Sequence, residues 1–468
     1  MSVGEKHTLL GGCGAPLGLL ALAALASACA EPGPDVVVLV PDVSEPAPDG
    51  SEPLARVELN APGPRPSEHA LYGDRVAGLA DLDGDGVRDF AVTAAGQAVE
   101  FAGGSYQGQV SVRSGKSGAL LFVLENPDPQ LQAPDRLFGH SLLGLGDLDG
   151  DGIGEIAVGS RRWDGVAIDQ GRIYLYRGAD GSLLRTIDGP ADGTWFGDGL
   201  TRAADVDGDG TPDLLVTAPS SGRAYLVSPR SGEVLRVFRS PALGAFFGWS
   251  SAWLGDIDGD GLGDIALGEV PTGVGQPRGG RVYLFSGTGA LLSTIDSPTP
   301  DDWFFGSGLG ALGDIDGDGV NDFAMTGIQG LTVASGAKLG TALYSLPTQG
   351  AYWGEVISVL PDLDCDGVRD FVVSGRDCAT SGSIYAYSGK TGTPYVTFAP
   401  PGLNTRARFS ISMSLLDQHP DGSLDVAVGA SGEGPLLDAG GVFVVRLDPE
   451  PGCEPPHDAV PDTVVALP

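Results

Sequence analysis

Apolar and polar residues along this chain change register every few positions. Short apolar runs such as Phe90-Ala91-Val92 and Ile156-Ala157-Val158-Gly159 stand between turns rich in Gly and Asp. Alternating stretches follow them, as in Gly171-Arg172-Ile173-Tyr174-Leu175-Tyr176. Next come a turn and another stretch, as in Asp180-Gly181-Ser182-Leu183-Leu184-Arg185-Thr186-Ile187. Period-two alternation and short apolar runs bounded by turn residues read as β-strands. The pattern predicts a unit of four short strands that recurs along the chain.

A nine-residue acidic string marks each unit. It reads DLDGDGVRD at 81–89, DLDGDGIGE at 147–155, DVDGDGTPD at 205–213, DIDGDGLGD at 256–264, DIDGDGVND at 314–322 and DLDCDGVRD at 362–370. A worn copy, DQHPDGSLD, occupies 417–425. An aromatic-Gly pair precedes each full copy: Tyr72-Gly73, Phe138-Gly139, Phe196-Gly197, Phe247-Gly248, Phe305-Gly306 and Trp353-Gly354, with Phe409-Ser410 before the worn one. Radial repetition of four-stranded sheets is one way to manage exposed sheet edges. The last unit lacks a fourth strand after Val442–Leu447, and an orphan strand, Leu54–Asn60, precedes the first unit. The expected fold is therefore all-β: a seven-bladed β-propeller of four-stranded antiparallel blades, its ring closed by the N-terminal strand.

Composition changes this picture in two ways. The 75 Gly and 35 Pro residues suit a turn-rich chain, and 42% hydrophobic residues suffice for a core. A formal net charge of −34 excludes nucleic acid as a partner and disfavours anionic membrane surfaces. Of 61 acidic residues, 24 lie in the six full strings and three in the worn copy, so the acidity is largely concentrated there.

The N-terminal region reads as a targeting segment. Ala15–Ala26 is apolar but short for a bilayer span. Leu25-Ala26-Ser27-Ala28-Cys29 resembles a bacterial lipoprotein signal, with Cys29 as the lipidated residue. The alternative is cleavage after Ala28 without lipid. The organisation expected is a signal peptide at 1–28, a Pro/acidic linker at 29–53, the propeller at 54–447 and a tail at 448–468. The protein is expected to be exported, as an outer-membrane or cell-surface lipoprotein or as a periplasmic or secreted protein. Its only membrane contact would be a lipid anchor.

The string carries the chemistry. Carboxylates at positions 1, 3, 5 and 9, a Gly at position 6 for a left-handed turn, and a main-chain carbonyl at position 7 offer hard oxygen ligands. Their number and spacing suit calcium and parallel the start of an EF-hand loop. The expected ligands are Asp81, Asp83, Asp85, Val87 and Asp89; Asp147, Asp149, Asp151, Ile153 and Glu155; Asp205, Asp207, Asp209, Thr211 and Asp213; Asp256, Asp258, Asp260, Leu262 and Asp264; Asp314, Asp316, Asp318, Val320 and Asp322; and Asp362, Asp364, Asp366, Val368 and Asp370. That makes about six structural Ca2+ sites. Cys365 falls at a non-ligand position. The worn copy, with His419 and Pro420, is expected to hold no ion.

Strings, flanking aromatic-Gly pairs and strand order together resemble the FG-GAP repeat family, the propeller of integrin alpha chains, over about residues 55–447. The resemblance places the acidic loops between the first two strands of each blade and implies a binding or adhesion role toward a protein or glycan ligand at the cell envelope. On that arrangement Cys453 approaches the sixth loop, so Cys365–Cys453 is the expected disulfide and Cys378 is free; three unpaired thiols are the alternative. The opposite face would meet the ligand, with Tyr106, Arg161, Arg162 and Trp163 as exposed candidates beside Glu100 and Phe101. The chain is expected to be a monomer. No catalytic residue is assigned. His140 reads as a packing residue, and Ser114-Gly115-Lys116-Ser117 and Ser388-Gly389-Lys390-Thr391 read as hairpin turns. A polysaccharide lyase-type propeller and a structural envelope spacer are the alternatives.

Overall fold

The computed structural model describes residues 55–62, 72–94, 108–128, 138–191, 194–241, 245–271, 279–299, 302, 304–349, 352–376, 381–400, 408–431 and 441–453. Cys29, Cys378, Glu100, Phe101 and Tyr106 lie outside them. The described residues form 28 strands and one turn of 3-10 helix, Pro219–Ser221. Among them no helix is long and apolar enough to cross a membrane.

The strands make seven antiparallel four-stranded sheets. The first blade runs Tyr72–Gly78, Phe90–Ala94, Gln109–Arg113 and Leu120–Glu125 from the inside outwards, and the next five follow the same order. In the seventh, Phe409–Gln418, Leu424–Ala430 and Gly441–Leu447 are followed by Ala55–Pro62 from the other end of the chain. That strand pairs antiparallel with the third, Ala55 opposite Leu447 and Pro62 opposite Gly441.

The core is not one central mass. It divides into seven apolar clusters, each spanning the seam between two consecutive blades. Phe138, Ile156 and Tyr174 of the second blade meet Ala91, Val110 and Leu124 of the first. The seventh and first blades meet through Leu416, Ala427, Val442 and Val444 against Tyr72, Val76, Phe90 and Val92. A blade is therefore covered on both faces, and its second and third strands are buried almost throughout, as in Ile156–Ser160 and Leu214–Ala218. This differs from the half-solvated alternation that GRIYLY suggests: Ile173, Tyr174, Leu175 and Tyr176 are all buried, on both faces. Only the outermost strands meet water.

The aromatic-Gly pairs lie in these seams. Each aromatic is buried, and Phe138, Phe196 and Phe247 set their rings 5.4, 5.5 and 5.6 Å from Tyr174, Tyr225 and Tyr283 of their own blades. The glycine faces the preceding blade with positive φ. A Cβ on Gly354 (φ 81°) would lie 2.3 Å from Thr326 Cγ2. Hydroxyls bolt neighbouring blades: Ser141 Oγ donates to the Gly197 carbonyl (2.7 Å), Ser250 Oγ to Gly306 (2.6 Å) and Ser412 Oγ to Gly73 (3.2 Å). The last bolt joins the seventh blade to the first. There Asp417 also accepts the Arg88 N–H (2.7 Å), and Ser414 Oγ accepts the Gly78 N–H (2.6 Å).

The seam predicts a contrast between glycines. Gly354→Ala combines a left-handed φ, about 1–2 kcal/mol, with overpacking worth about 1–3 kcal/mol. Gly452→Ala, with the same sign of φ and nothing within 4 Å, incurs only the first. Denaturant unfolding should show Gly354→Ala to be the more damaging by about 1–3 kcal/mol.

Candidate metal centres and ligand face

Each full acidic string forms the loop between the first and second strands of a blade, so six loops lie on one face of the ring. Local chemistry folds them. The position-1 carboxylate gathers the main-chain N–H groups of the turn: Asp81 Oδ1 accepts from Gly84 (2.8 Å) and Asp85 (3.1 Å), and Oδ2 from Gly86 (2.8 Å). Asp205, Asp256 and Asp314 repeat this set. Position 4 as well as position 6 adopts positive φ, as Gly84 (75°) and Gly86 (89°) show. The need for glycine at position 4 was not inferred from the sequence. In the sixth loop Cys365 takes that conformation, with φ 57°.

The position-9 acid closes the loop. Asp89 accepts from the Leu82 N–H, Asp213 from Val206, Asp264 from Ile257, Asp322 from Ile315 and Asp370 from Leu363, each at 2.8 Å. Glu155 accepts from Leu148 in the same way. All six are fully or almost fully buried, because the second strand enters the seam at this point. Burial, against the help of the main-chain donors, raises Asp89 and Asp213 to about 6 and Glu155 and Asp370 to about 7. Neighbouring carboxylates of the same loop push in the same direction. Asp264 and Asp322 are raised by burial too.

These groups fit a cation. Carboxylate oxygens of Asp147, Asp149, Asp151 and Glu155 can lie within 4.8 Å of one another, as can those of Asp81, Asp83 and Asp85, of Asp205, Asp207 and Asp213, of Asp256, Asp258 and Asp260, and of Asp314, Asp316 and Asp322. Glu155 Oε1 and Asp213 Oδ1 are buried acceptors without a hydrogen-bond partner among the described residues. Buried oxygens without a partner are rare in folded proteins, and an ion or an ordered water ordinarily satisfies them. The residue-7 N–H donates to the position-5 carboxylate, as Val87 does to Asp85 (3.0 Å) and Val368 to Asp366 (2.9 Å).

A second element, not foreseen as part of the site, braces each loop. The hairpin between third and fourth strands brings Ser286 and Ser388 Oγ to the position-5 acids Asp260 and Asp366, both at 2.9 Å. The next residue's N–H donates to the position-9 acid: Gly115 to Asp89 (3.0 Å), Gly287 to Asp264 (2.9 Å), Gly336 to Asp322 (3.0 Å) and Gly389 to Asp370 (3.1 Å). In the third blade Pro229 stands there and has no N–H, which accounts for the orphaned oxygen of Asp213. The Ser-Gly-Lys turns that imitate a phosphate loop are thus props for acidic loops.

The sixth loop is clamped by the tail. Cys365 and Cys453 form a disulfide (S–S 2.00 Å, Cα–Cα 5.5 Å), the Glu450 N–H donates to the Leu363 carbonyl (2.8 Å), and Tyr395 OH donates to Asp370 (3.0 Å). In the worn seventh loop a guanidinium occupies the acidic site. Arg446 Nε and Nη2 reach the two oxygens of Asp425 at 2.8 and 2.9 Å, and His419 Nε2 lies 2.8 Å from both Asp425 and Arg446.

On the opposite face the sequence candidates are less exposed than expected. Arg161 is largely buried and donates to buried Asp198 (2.7 Å); Trp163 carries the Arg172 guanidinium 3.5 Å from its ring centre. Arg161 and Arg162 lie 5.0 and 5.6 Å from the ring of Trp195, which stacks on Phe246 of the next blade at 6.0 Å. Trp195 and Phe246, flanking the conspicuous aromatic-Gly pairs, were missed for that reason. The exposed residues are Val166 (88%) and Ile168 (80%), at the tip of the same loop. Gln170 Oε1, accepting from Val166 and Ala167 N–H, and Asp164, accepting from Asp169 N–H, hold that tip in shape. His140 is buried with Nε2 3.4 Å from Asp198. Burial and then the charge of Arg161 push its pKa down to about 4. Burial opposes the Asp198 carboxylate, but Arg161 and His140 outweigh it and hold the pKa at about 2.

Two measurements follow from this electrostatics. Arg446→Met strands the charge of Asp425 and should cost about 3 kcal/mol in unfolding free energy, most of it recovered when Asp425 is made Leu as well. Because folded His140 titrates near 4 and an unfolded histidine near 6.5, its burial withdraws stability as pH falls from about 6.5 to 4. His140→Gln should therefore shrink the loss between pH 7 and pH 4.5 by about 2–3 kcal/mol.

Comparison with known proteins agrees with this geometry. A family model described as FG-GAP-like repeat matches residues 147–216 and 205–267. Integrin alpha-IIb of Homo sapiens is 32% identical over 244 residues, 47% of this chain and 22% of that protein. Integrin alpha-V of Gallus gallus is 30% identical over 210 residues, 40% of this chain and 20% of that protein. The chain thus spans about a fifth of the length of these relatives. Among solved structures, BBS1N in complex with ARL6DN, soaked with lead, superposes with a TM-score of 0.52 at 14% identity, covering 86% of this chain and 99% of that one, a likeness of fold alone. The described residues form a seven-bladed β-propeller that matches the FG-GAP-like repeat over 147–267 and is similar in sequence to integrin alpha chains over part of its length.

Proposed function

We propose that this chain is an exported, calcium-stabilised binding or adhesion module that recognises a protein or glycan at the cell envelope, tethered through Cys29. The observation that carries the calcium reading is the set of six buried position-9 acids, each facing like-charged carboxylates, with two buried oxygens left unpartnered. Oxygen-only donors in this number suit Ca2+. The ligands would be the acids at positions 1, 3, 5 and 9, with the carbonyls of Val87, Ile153, Thr211, Leu262, Val320 and Val368. The ion would supply positive charge beside the buried position-9 acids, and the residues present it with a preformed loop. A site with Kd ~0.1 mM at ~1 mM calcium adds roughly 1.4 kcal/mol to stability. Six such sites would be comparable with the whole stability of a typical domain, about 5–15 kcal/mol. The role is structural.

The binding reading rests on relatedness to integrin alpha chains and on the loop 161–171. Its rigid tip exposes Val166 and Ile168 beside the Arg161–Arg162–Trp195 shelf, so little order is lost when a partner covers it. Tyr106 is proposed for the same face. The cysteine pairing accords with export into an oxidising compartment.

Three outcomes are expected. Chelation should lower the thermal midpoint, and calcium should restore it. The purified chain, exposed to a panel of polysaccharides and envelope extracts with calcium or chelator, should retain one ligand class without creating new chain ends. Val166→Ser with Ile168→Ser should cut that retention about tenfold at unchanged thermal midpoint, the expectation for two apolar contacts. New chain ends would replace the binding reading with a lyase. Absence of retention would leave a spacer.

A further inference from the structure

We propose that the turn between the third and fourth strands tunes the cation affinity of the acidic loop beside it, and that Lys338 makes the fifth loop the weakest of the six. The inference rests on the reading of these loops as divalent-cation sites.

The fourth and fifth loops form a natural comparison. Their strings, DIDGDGLGD and DIDGDGVND, differ only at positions 7 and 8. Their cages match bond for bond. The Gly259 and Gly317 N–H groups reach the position-1 acid at 2.7 Å, Gly261 and Gly319 at 2.9 Å, and Ile257 and Ile315 reach the position-9 acid at 2.8 Å. The braces from Gly287 and Gly336 match as well, at 2.9 and 3.0 Å.

The turns differ in charge. In the fifth blade Lys338 Nζ lies 3.1 Å from Asp316 and 3.7 Å from Asp318, spanning positions 3 and 5. In the fourth blade the turn carries Thr288, whose hydroxyl meets Ser286 Oγ at 3.0 Å. The guanidinium of Arg236 donates to the Thr288 carbonyl, not to a carboxylate. Elsewhere the turn's cation does less. Arg177 and Arg230 each approach a single carboxylate, Asp149 at 2.7 Å and Asp209 at 3.8 Å. Lys116 and Lys390 bind the main-chain carbonyls of Asp85 and Asp366 at 3.0 and 2.6 Å. Among the described residues, only in the fifth loop does one ammonium pair with two proposed ligands.

A cation entering that loop must displace this ammonium and then coexist with it. A unit charge ~6 Å from a divalent ion weakens binding by up to about tenfold in water, less with salt. The side chain of Lys338 is 55% exposed, so it can swing aside; the site is weakened, not abolished. The fifth loop therefore fills last as calcium rises, at concentrations where the fourth is already occupied.

The test is calorimetric titration of the full chain with calcium alone, after chelation and at low ionic strength. Four proteins are compared: the unaltered chain, Lys338→Met, Thr288→Lys, and Asp316→Asn with Asp318→Asn. The double Asn variant should lose the weakest binding step. Lys338→Met should keep every step and tighten that one about three- to tenfold. Thr288→Lys should weaken one of the tighter steps. If the double Asn variant removes a tight step, or Lys338→Met titrates like the unaltered chain, the tuning proposal falls and the cation reading survives. If no protein takes up calcium, the cation reading itself falls. Thermal unfolding of each variant in chelator separates loss of binding from loss of fold.

Discussion

A blade of this ring cannot stand alone, because both of its faces are apolar. The second and third strands are buried almost end to end, and what covers them is the next blade on either side. The apolar surface removed from water lies in seven seams, not in one centre, and burial of that kind is the main favourable term in folding. Seven seams require a closed circle. The one between the last and first blades has the composition of the other six, plus polar bridges from Ser412, Ser414 and Asp417. The N-terminal strand in the seventh sheet places the two ends of the folded chain in one blade.

The acidic loops are tied to the same seams. Position 9 of each string is where the second strand plunges into the interblade core, so its carboxylate is dragged out of water with it. Taking a charge out of water is costly unless it is paired or hydrogen-bonded. The loop answers with main-chain N–H groups, a hydroxyl and the N–H of the neighbouring hairpin, and still leaves the carboxylates raised in pKa. What remains is a demand for positive charge at the rim of each seam. A cation there would join the first, second and third strands' connections, and so stiffen the blade near the surface it shares with its neighbour.

Much of this was legible because it repeats. The strand count, the blade order, the placement of the acidic strings and the odd strand at the N-terminal side follow from seven imperfect copies of one pattern. The Cys365–Cys453 pair could be anticipated because topology places the end of Gly441–Leu447 near the sixth loop. What repetition does not encode was missed. The left-handed turn at position 4 was masked by the Gly-rich string itself and surfaces only where Cys365 replaces glycine. The hairpin braces join segments about 25 residues apart through Ser and Gly, residues too common in turns to stand out. The exposure of two candidates was misread because Arg161 and Trp163 lie in a loop; Asp198, from the next blade, and Arg172 cover them. Side chains that meet across a seam leave no mark in local sequence.

The seventh blade shows what the other six require. Its loop has lost the acid at position 3, and His419 stands there instead. Yet the position-9 acid, Asp425, is retained and nearly buried, so the electrostatic problem is unchanged. The blade meets it with a guanidinium from its own third strand, doubly bonded to that carboxylate. At the corresponding register beside the position-9 acid the other six blades carry Ser114, Arg177, Ser228, Ser286, Ser335 and Ser388; Arg177 pairs with Asp149 of its loop, and Ser286 and Ser388 bond the position-5 acid. One loop thus carries the positive charge on its position-9 acid covalently, in Arg446. A guanidinium is permanent and a dissolved ion is not. The blade where the two ends of the folded chain meet therefore carries a fixed charge, whereas a cation at the other six would be exchangeable.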